Sequence, residues 1–158
     1  MRIRDRLVLF LATGFFSGYL PGAPGTFGTL IGLPICYVLS GFQIGLSVII
    51  VVLFIGLSVA LASKAEKLLK QKDASQIVID EIAGLLVTFV GLPFNLPTAV
   101  LGFIIFRVFD ILKPIPIRWL DTKVSGGRGI VADDVVAGIY ANLVLRFLIF
   151  ILGIGVVP

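Results

Sequence analysis

The sequence predicts a single all-α domain, residues 1–158, that threads a lipid bilayer. About five spans are expected, plus a short N-terminal interfacial or re-entrant helix. Three observations carry this expectation. Apolar residues make up 58% of the chain and charged ones 14%, against roughly a quarter charged in an ordinary soluble domain. The apolar residues fall in runs close to the ~20 residues a spanning helix needs. Lysines and arginines gather in alternate loops between those runs.

Arg2, Arg4 and Arg6 precede the first run, Leu7–Phe16. That run is too short to cross securely, so it reads as the interfacial or re-entrant helix. A signal peptide is the other reading of a basic start before an apolar stretch. The distinctive glycine-rich segment that follows directly, Ser17–Thr29, argues against it. Spans are expected at about Phe27–Phe42, Ile44–Ala62, Gln76–Leu92, Pro97–Lys113 and Asp134–Val157. Gly41 separates the first two, and Pro93, Asn95 and Pro97 separate the third from the fourth. Pro114 and Pro116 stop the fourth, because proline cannot continue a helical hydrogen-bond ladder.

The positive-inside rule sets the orientation. With the amino terminus in the cytoplasm and the first short helix not crossing, loops 63–75 and 114–133 also face inward. They hold nearly all the remaining basic residues, including Lys64, Lys67, Lys70 and Lys72, while the outer turns 41–43 and 93–96 carry no charge. The net charge of +4 therefore reads as anchorage to anionic headgroups. Nucleic-acid binding is not expected, since the basic residues are sparse and mostly border lipid. Cys36 is the single cysteine and there is no histidine. A disulfide framework and a thiol or imidazole metal site are thereby excluded.

Five acidic residues lie in or at the ends of spans: Asp80, Glu81, Asp110, Asp133 and Asp134. A carboxylate in hydrocarbon costs several kcal/mol, so it needs a partner or a function. Alternate threading brings all five to the cytoplasmic ends of their helices. An all-oxygen cluster suits a hard cation, above all Mg²⁺, which accepts water and substrate phosphate as further ligands. The plainer reading assigns each acid separately. Asp133 is expected to cap the last helix, and Asp110 can pair with Arg107 or Lys113, three residues away on the same face. Asp80 and Glu81 have no such local cation. Arg107, Lys113 and Arg118 are candidates for holding phosphate or for anchoring to headgroups. Thr26, expected as a helix cap, ends a segment suited to anions, because a helix start presents free N–H groups. Ser125–Gly129 reads as a plain connection, and Arg146 in the last span has no assigned role.

Three blocks of the chain resemble the phosphatidylglycerophosphatase A family: Gly14–Thr29 (GFFSGYLPGAPGTFGT), Ile79–Gly84 (IDEIAG) and Phe106–Gly138 (FRVFDILKPIPIRWLDTKVSGGRGIVADDVVAG). They cover about a third of the chain in the family's order, and the third block is the most specific. Ile79 departs from the aromatic residue of some members and leaves the chemistry untouched. The resemblance implies a bacterial cytoplasmic-membrane enzyme that hydrolyses phosphatidylglycerophosphate to phosphatidylglycerol and phosphate. Asp80, Glu81, Asp110 and Asp134 would hold Mg²⁺, and with Lys113 they form the expected catalytic set. Thr26, Arg107, Lys113 and Arg118 would bind the substrate phosphate. Two rival classes are a transferase or phosphatase acting on other lipid phosphates and a non-enzymatic transporter. The DGxxAR-type signature of CDP-alcohol phosphotransferases is missing, and a transporter should place acids near the bilayer midplane.

Overall fold

In the computed structural model, residues 2–153 are described, with the backbone alone for 120–122. The described chain is all-helical. Its order is α1 (Ile3–Ala12), a 3₁₀ turn (Ser17–Tyr19), α2 (Pro24–Ser40), α3 (Ile44–Leu69), α4 (Ile79–Phe89), α5 (Leu96–Leu112), α6 (Ile117–Lys123) and α7 (Gly127–Leu152). Helix α6 occupies a stretch expected to be loop.

Helix α4 is the centre of the bundle. It packs against α7, α2, α3 and α5, and nine of its eleven residues are buried. Two of its contacts need glycine. A Cβ on Gly84 would lie 2.6 Å from the Asp134 carbonyl oxygen and from the Phe106 ring, and one on Gly138 would strike the Gly84 carbonyl oxygen. Small residues at both positions let the α4 and α7 backbones touch, as in close-packed membrane helices. Phe106, Leu85, Leu86 and Leu145 fill the core around this crossing.

At eleven residues, α4 is shorter than the expected 76–92 span. Residues before it are engaged elsewhere: the Val78 N–H donates to the Ala12 carbonyl at 2.9 Å, and Gly18 sits against the backbone of Gln76. At 1.5 Å per residue α4 is roughly 17 Å long, well short of the ~30 Å hydrocarbon core. Helices α3 and α7, of 26 residues each, are long and apolar enough to cross a membrane. Helices α2 and α5, with 17 residues each, stand at the short limit. The outer surface is apolar, with Tyr37, Leu53, Ile104, Phe147 and Phe150 at least half exposed, whereas Thr29, Ser58, Thr88, Asp133 and Asp134 are buried.

The last turn of α4 shows what Arg146 does. Helix C-termini leave carbonyls unsatisfied. Here the Asn142 side-chain amide on α7 donates to the Thr88 and Val90 carbonyls at 2.8 and 3.0 Å, and Arg146 Nη2 donates to the Val90 carbonyl at 3.2 Å. A cation at this end also opposes the negative pole of the helix dipole.

The last helix starts earlier than position 134. Gly126, its N-cap, has φ 71° and ψ −169°, a conformation open to glycine and hostile to other residues. Gly127 packs so tightly on Ser63 and the Val59 carbonyl of α3 that a Cβ would collide with both. Ser125–Gly129 is thus the packed opening of α7 rather than a plain connection. The expected end of this span, beyond Gly153, lies outside the described residues.

Candidate active site

Four helix ends meet around one cavity of about 460 Å³. The first turns of α2 and α4, the last turn of α5 and the second turn of α7 supply its walls. Residues Gly25, Thr26, Asp80, Glu81, Arg107, Asp110, Lys113, Asp133 and Asp134 line it. The acids of three helices expected at one end of the bundle do converge there.

Asp80, Glu81 and Asp134 form the inner group. One carboxylate oxygen from each lies within 4.8 Å of the other two. Asp80 and Asp134 are buried, at 8% and 4% exposure. Asp80 Oδ1 and Glu81 Oε2 accept no hydrogen bond from the described residues. Three such carboxylates repel one another unless protons or a cation intervene. A hard cation bound at about 2.1 Å would hold ligand oxygens no more than about 4.2 Å apart, close to the spacing present. The donor set therefore fits a divalent cation of the Mg²⁺ kind.

The outer group consists of two ion pairs. Arg107 pairs with Asp110 one turn along α5, and the same Nη1 lies 3.5 Å from Thr29 Oγ1. Asp110, expected as a fourth metal ligand, pairs with Arg107 here and is not among the three residues whose oxygens lie within 4.8 Å of one another. Lys113 Nζ donates to Asp133 Oδ2 at 2.8 Å. Lys113 is the left-handed C-cap of α5, which turns its side chain out of the helix row that Asp110 occupies. Asp133 is not the helix cap expected of it. It lies two turns inside α7, because that helix opens at Gly127.

Thr26 also differs from expectation. Ala23 is the N-cap of α2 and provides no side-chain cap. The first-turn N–H groups at Gly25 and Thr26 therefore have neither an intrahelical carbonyl nor a cap to bind. Gly25 brings this turn against the inner group: a Cβ there would strike Glu81 Oε1 and lie 3.1 Å from Arg107 Nη1. Thr26 lines the cavity as a wall residue. Arg118 does not line it, being exposed on α6.

Two residues that sequence reasoning passed over, Asp73 and Ser75, form part of the rim. No spacing signal marks them, since the loop carrying them folds over the cavity only through its contacts with α1 and α3. The Asp73 N–H, for example, donates to Glu66 Oε1 at 3.1 Å. Cys36 is remote from this chemistry. It is buried beside the Leu85 carbonyl and faces a separate cavity near the other end of α4.

Fold and cavity together define a helical bundle of membrane character, with a cavity lined by carboxylates and basic side chains at one end. A family model described as Phosphatidylglycerophosphatase A matches residues 10–149. The chain belongs to the phosphatidylglycerophosphatase A family. It is 40% identical over 139 residues to phosphatidylglycerophosphatase A of Escherichia coli K12, covering 87% of this chain and 81% of that protein. The Haemophilus influenzae protein of the same name is 38% identical over 137 residues, covering 85% and 84%. A third relative, a putative phosphatidylinositol-3-phosphatase of Bacteroides thetaiotaomicron, is 34% identical over 155 residues, covering 93% and 96%. No solved structure matches the chain.

Proposed function

We propose that this protein hydrolyses phosphatidylglycerophosphate to phosphatidylglycerol and inorganic phosphate, with Mg²⁺, at the cytoplasmic face of a bacterial inner membrane. The observation that carries this reading is the cavity itself. Buried Asp80 and Asp134 and half-buried Glu81 stand against Arg107, Lys113 and an uncapped helix start, in a chain of this family.

Each group has a part in phosphate-monoester hydrolysis. Asp80, Glu81 and Asp134 would hold the cation, which when bound supplies countercharge to the phosphate and acidifies water. Arg107 and Lys113 hold the phosphate and stabilise charge on its equatorial oxygens. Their present partners, Asp110 and Asp133, keep both cations in place before substrate arrives. The α2 first-turn amides add neutral donors. Water is the nucleophile: its oxygen attacks phosphorus, the bond to the glycerol oxygen breaks, and a carboxylate of the inner group takes the water proton and passes it to the departing glycerol oxygen. Cys36 is excluded as a nucleophile by its burial away from the cavity.

The membrane part of the reading rests on the apolar exterior and on the basic loops at the cavity end. Two long apolar helices support it, and the shorter α2, α4 and α5 would reach less far into the bilayer. The clustering of acids at one end favours an enzyme over an ion-carrying transporter.

The Bacteroides relative raises a second reading, a different lipid phosphate as substrate. Phosphate release by purified protein in detergent tests both. Phosphatidylglycerophosphate, phosphatidic acid and phosphatidylinositol 3-phosphate would be compared, each with Mg²⁺ or with EDTA. Phosphatidylglycerophosphate should be the best substrate and EDTA should abolish turnover. Preference for the inositol lipid would establish the second reading, and full activity in EDTA would refute the metal assignment.

A further inference from the structure

On the lipid-facing side of the bundle, away from the cavity, an apolar groove of about 370 Å³ runs between α3 and α7. Val52 and Ile55 of α3 and Val135, Ile139 and Leu143 of α7 line it, over a floor from α4. Arg146 stands at one end. From Val135 to Arg146 the groove follows eleven helical steps, roughly 16 Å at 1.5 Å per residue. That is about half of a ~30 Å hydrocarbon core, the depth of one leaflet.

The end marked by Arg146 is also chemically distinct. Its guanidinium is exposed, and its hydrogen bonds go to neutral acceptors, the Val90 carbonyl and Asn142 Oδ1. It lies beside Gly91 and close to Ile44, the first residue of α3. This is the end of the bundle opposite the acidic cavity. Both hydrogen bonds of Arg146 engage Nη2, and the other N–H groups of the guanidinium can take an anion.

From this length, lining and charge we infer that the groove is a binding site for one anionic glycerophospholipid with its headgroup at the Arg146 end. Its acyl chain lies along Val52, Ile139 and Leu143, and its phosphate meets Arg146. Because Arg146 and Asn142 hold the last carbonyls of α4, the lipid braces the helix that carries Asp80 and Glu81 at its other end. The inference rests on the membrane placement proposed above and is independent of which lipid phosphate is hydrolysed.

The test is lipid retention and thermal stability of the purified full chain, titrated with phosphatidylglycerol or phosphatidylcholine of identical acyl chains. The native protein should retain lipid through detergent exchange and prefer phosphatidylglycerol about fivefold, as one basic group near an anionic headgroup provides. Arg146→Gln should abolish the preference. Since that variant also loses a helix-end hydrogen bond, Ile139→Trp provides a second arm: it fills the groove, leaves Arg146 intact and should displace both lipids. Full preference in Arg146→Gln, or undiminished retention in Ile139→Trp, would overturn the inference. Failure of the membrane placement reads differently: the chain would leave membranes in alkaline carbonate without detergent.

Discussion

Each carboxylate in the cavity has different neighbours, so removing one charge at nearly constant shape should have graded consequences. Asp80→Asn, Glu81→Gln and Asp134→Asn each weaken the proposed cation site directly. Each should lose more than the roughly 10–100-fold typical of outer-shell partners, with partial recovery at raised Mg²⁺. Native-like turnover in all three would make the inner group structural. Asp133→Asn belongs to another class. As a helix cap it would tolerate asparagine, but it sits within α7 and holds Lys113 at 2.8 Å. The amide keeps an acceptor for Lys113 and loses the countercharge, so an intermediate defect, carried mainly by KM, is expected. Asp133→Ala should be worse. Steady-state kinetics of the pair separate these outcomes, and native KM in the alanine variant would remove Asp133 from the phosphate site.

At the scale of elements, α4 depends on its two ends. Its first turn presents Asp80 and Glu81, and its last carbonyls are satisfied by Asn142 and Arg146. Asn142→Leu keeps the volume and deletes the donors. Leaving those buried carbonyls unpaired should cost about 1–3 kcal/mol, visible as a lower Tm with the Mg²⁺ dependence of activity unchanged. An unaltered Tm would mean that other donors satisfy this helix end. The α4–α7 crossing offers a second measure. Gly138→Ala adds one methyl group against the Gly84 carbonyl, and such overpacking typically costs about 1–3 kcal/mol. The substitution also displaces the backbone next to Asp134, so activity should fall along with stability. Loss of neither would show that the two backbones can separate without penalty.

For the whole molecule, orientation is the decisive property, because it places the cavity. Gln43 and Asn95 are the N-caps of α3 and α5, at the end away from the cavity, and Gln71 lies in the loop at the cavity end. In a Cys36→Ser background, single cysteines at Gln43 and Asn95 should react with impermeant reagents on intact cells. A cysteine at Gln71 should react only after the cells are opened. The reverse labelling would put the cavity on the outer face and end the proposal of a cytoplasmic active site.

The sequence by itself determined the helical class and the family. Composition announces a lipid-facing helical chain because the exterior of such a protein must be as apolar as its solvent. The scarcity of buried charge singles out Asp80, Glu81, Asp110, Asp133 and Asp134, since each is too costly to place without a partner or a use. Alternation of direction between helices is enough to bring them to one end. Only tertiary structure decided how those acids divide. Which basic side chain Asp110 meets, and whether Asp133 caps a helix or holds Lys113, depends on side-chain direction to within an ångström or two. Helix ends escaped the sequence for a related reason. Gly126 and Gly127 resemble a flexible linker until α3 is seen packed against them, and α4 ends where Asn142 and Arg146 from a distant helix accept the task of closing it. Such partners lie 50 or more positions apart in the chain, and hydropathy, a local property, carries no record of them.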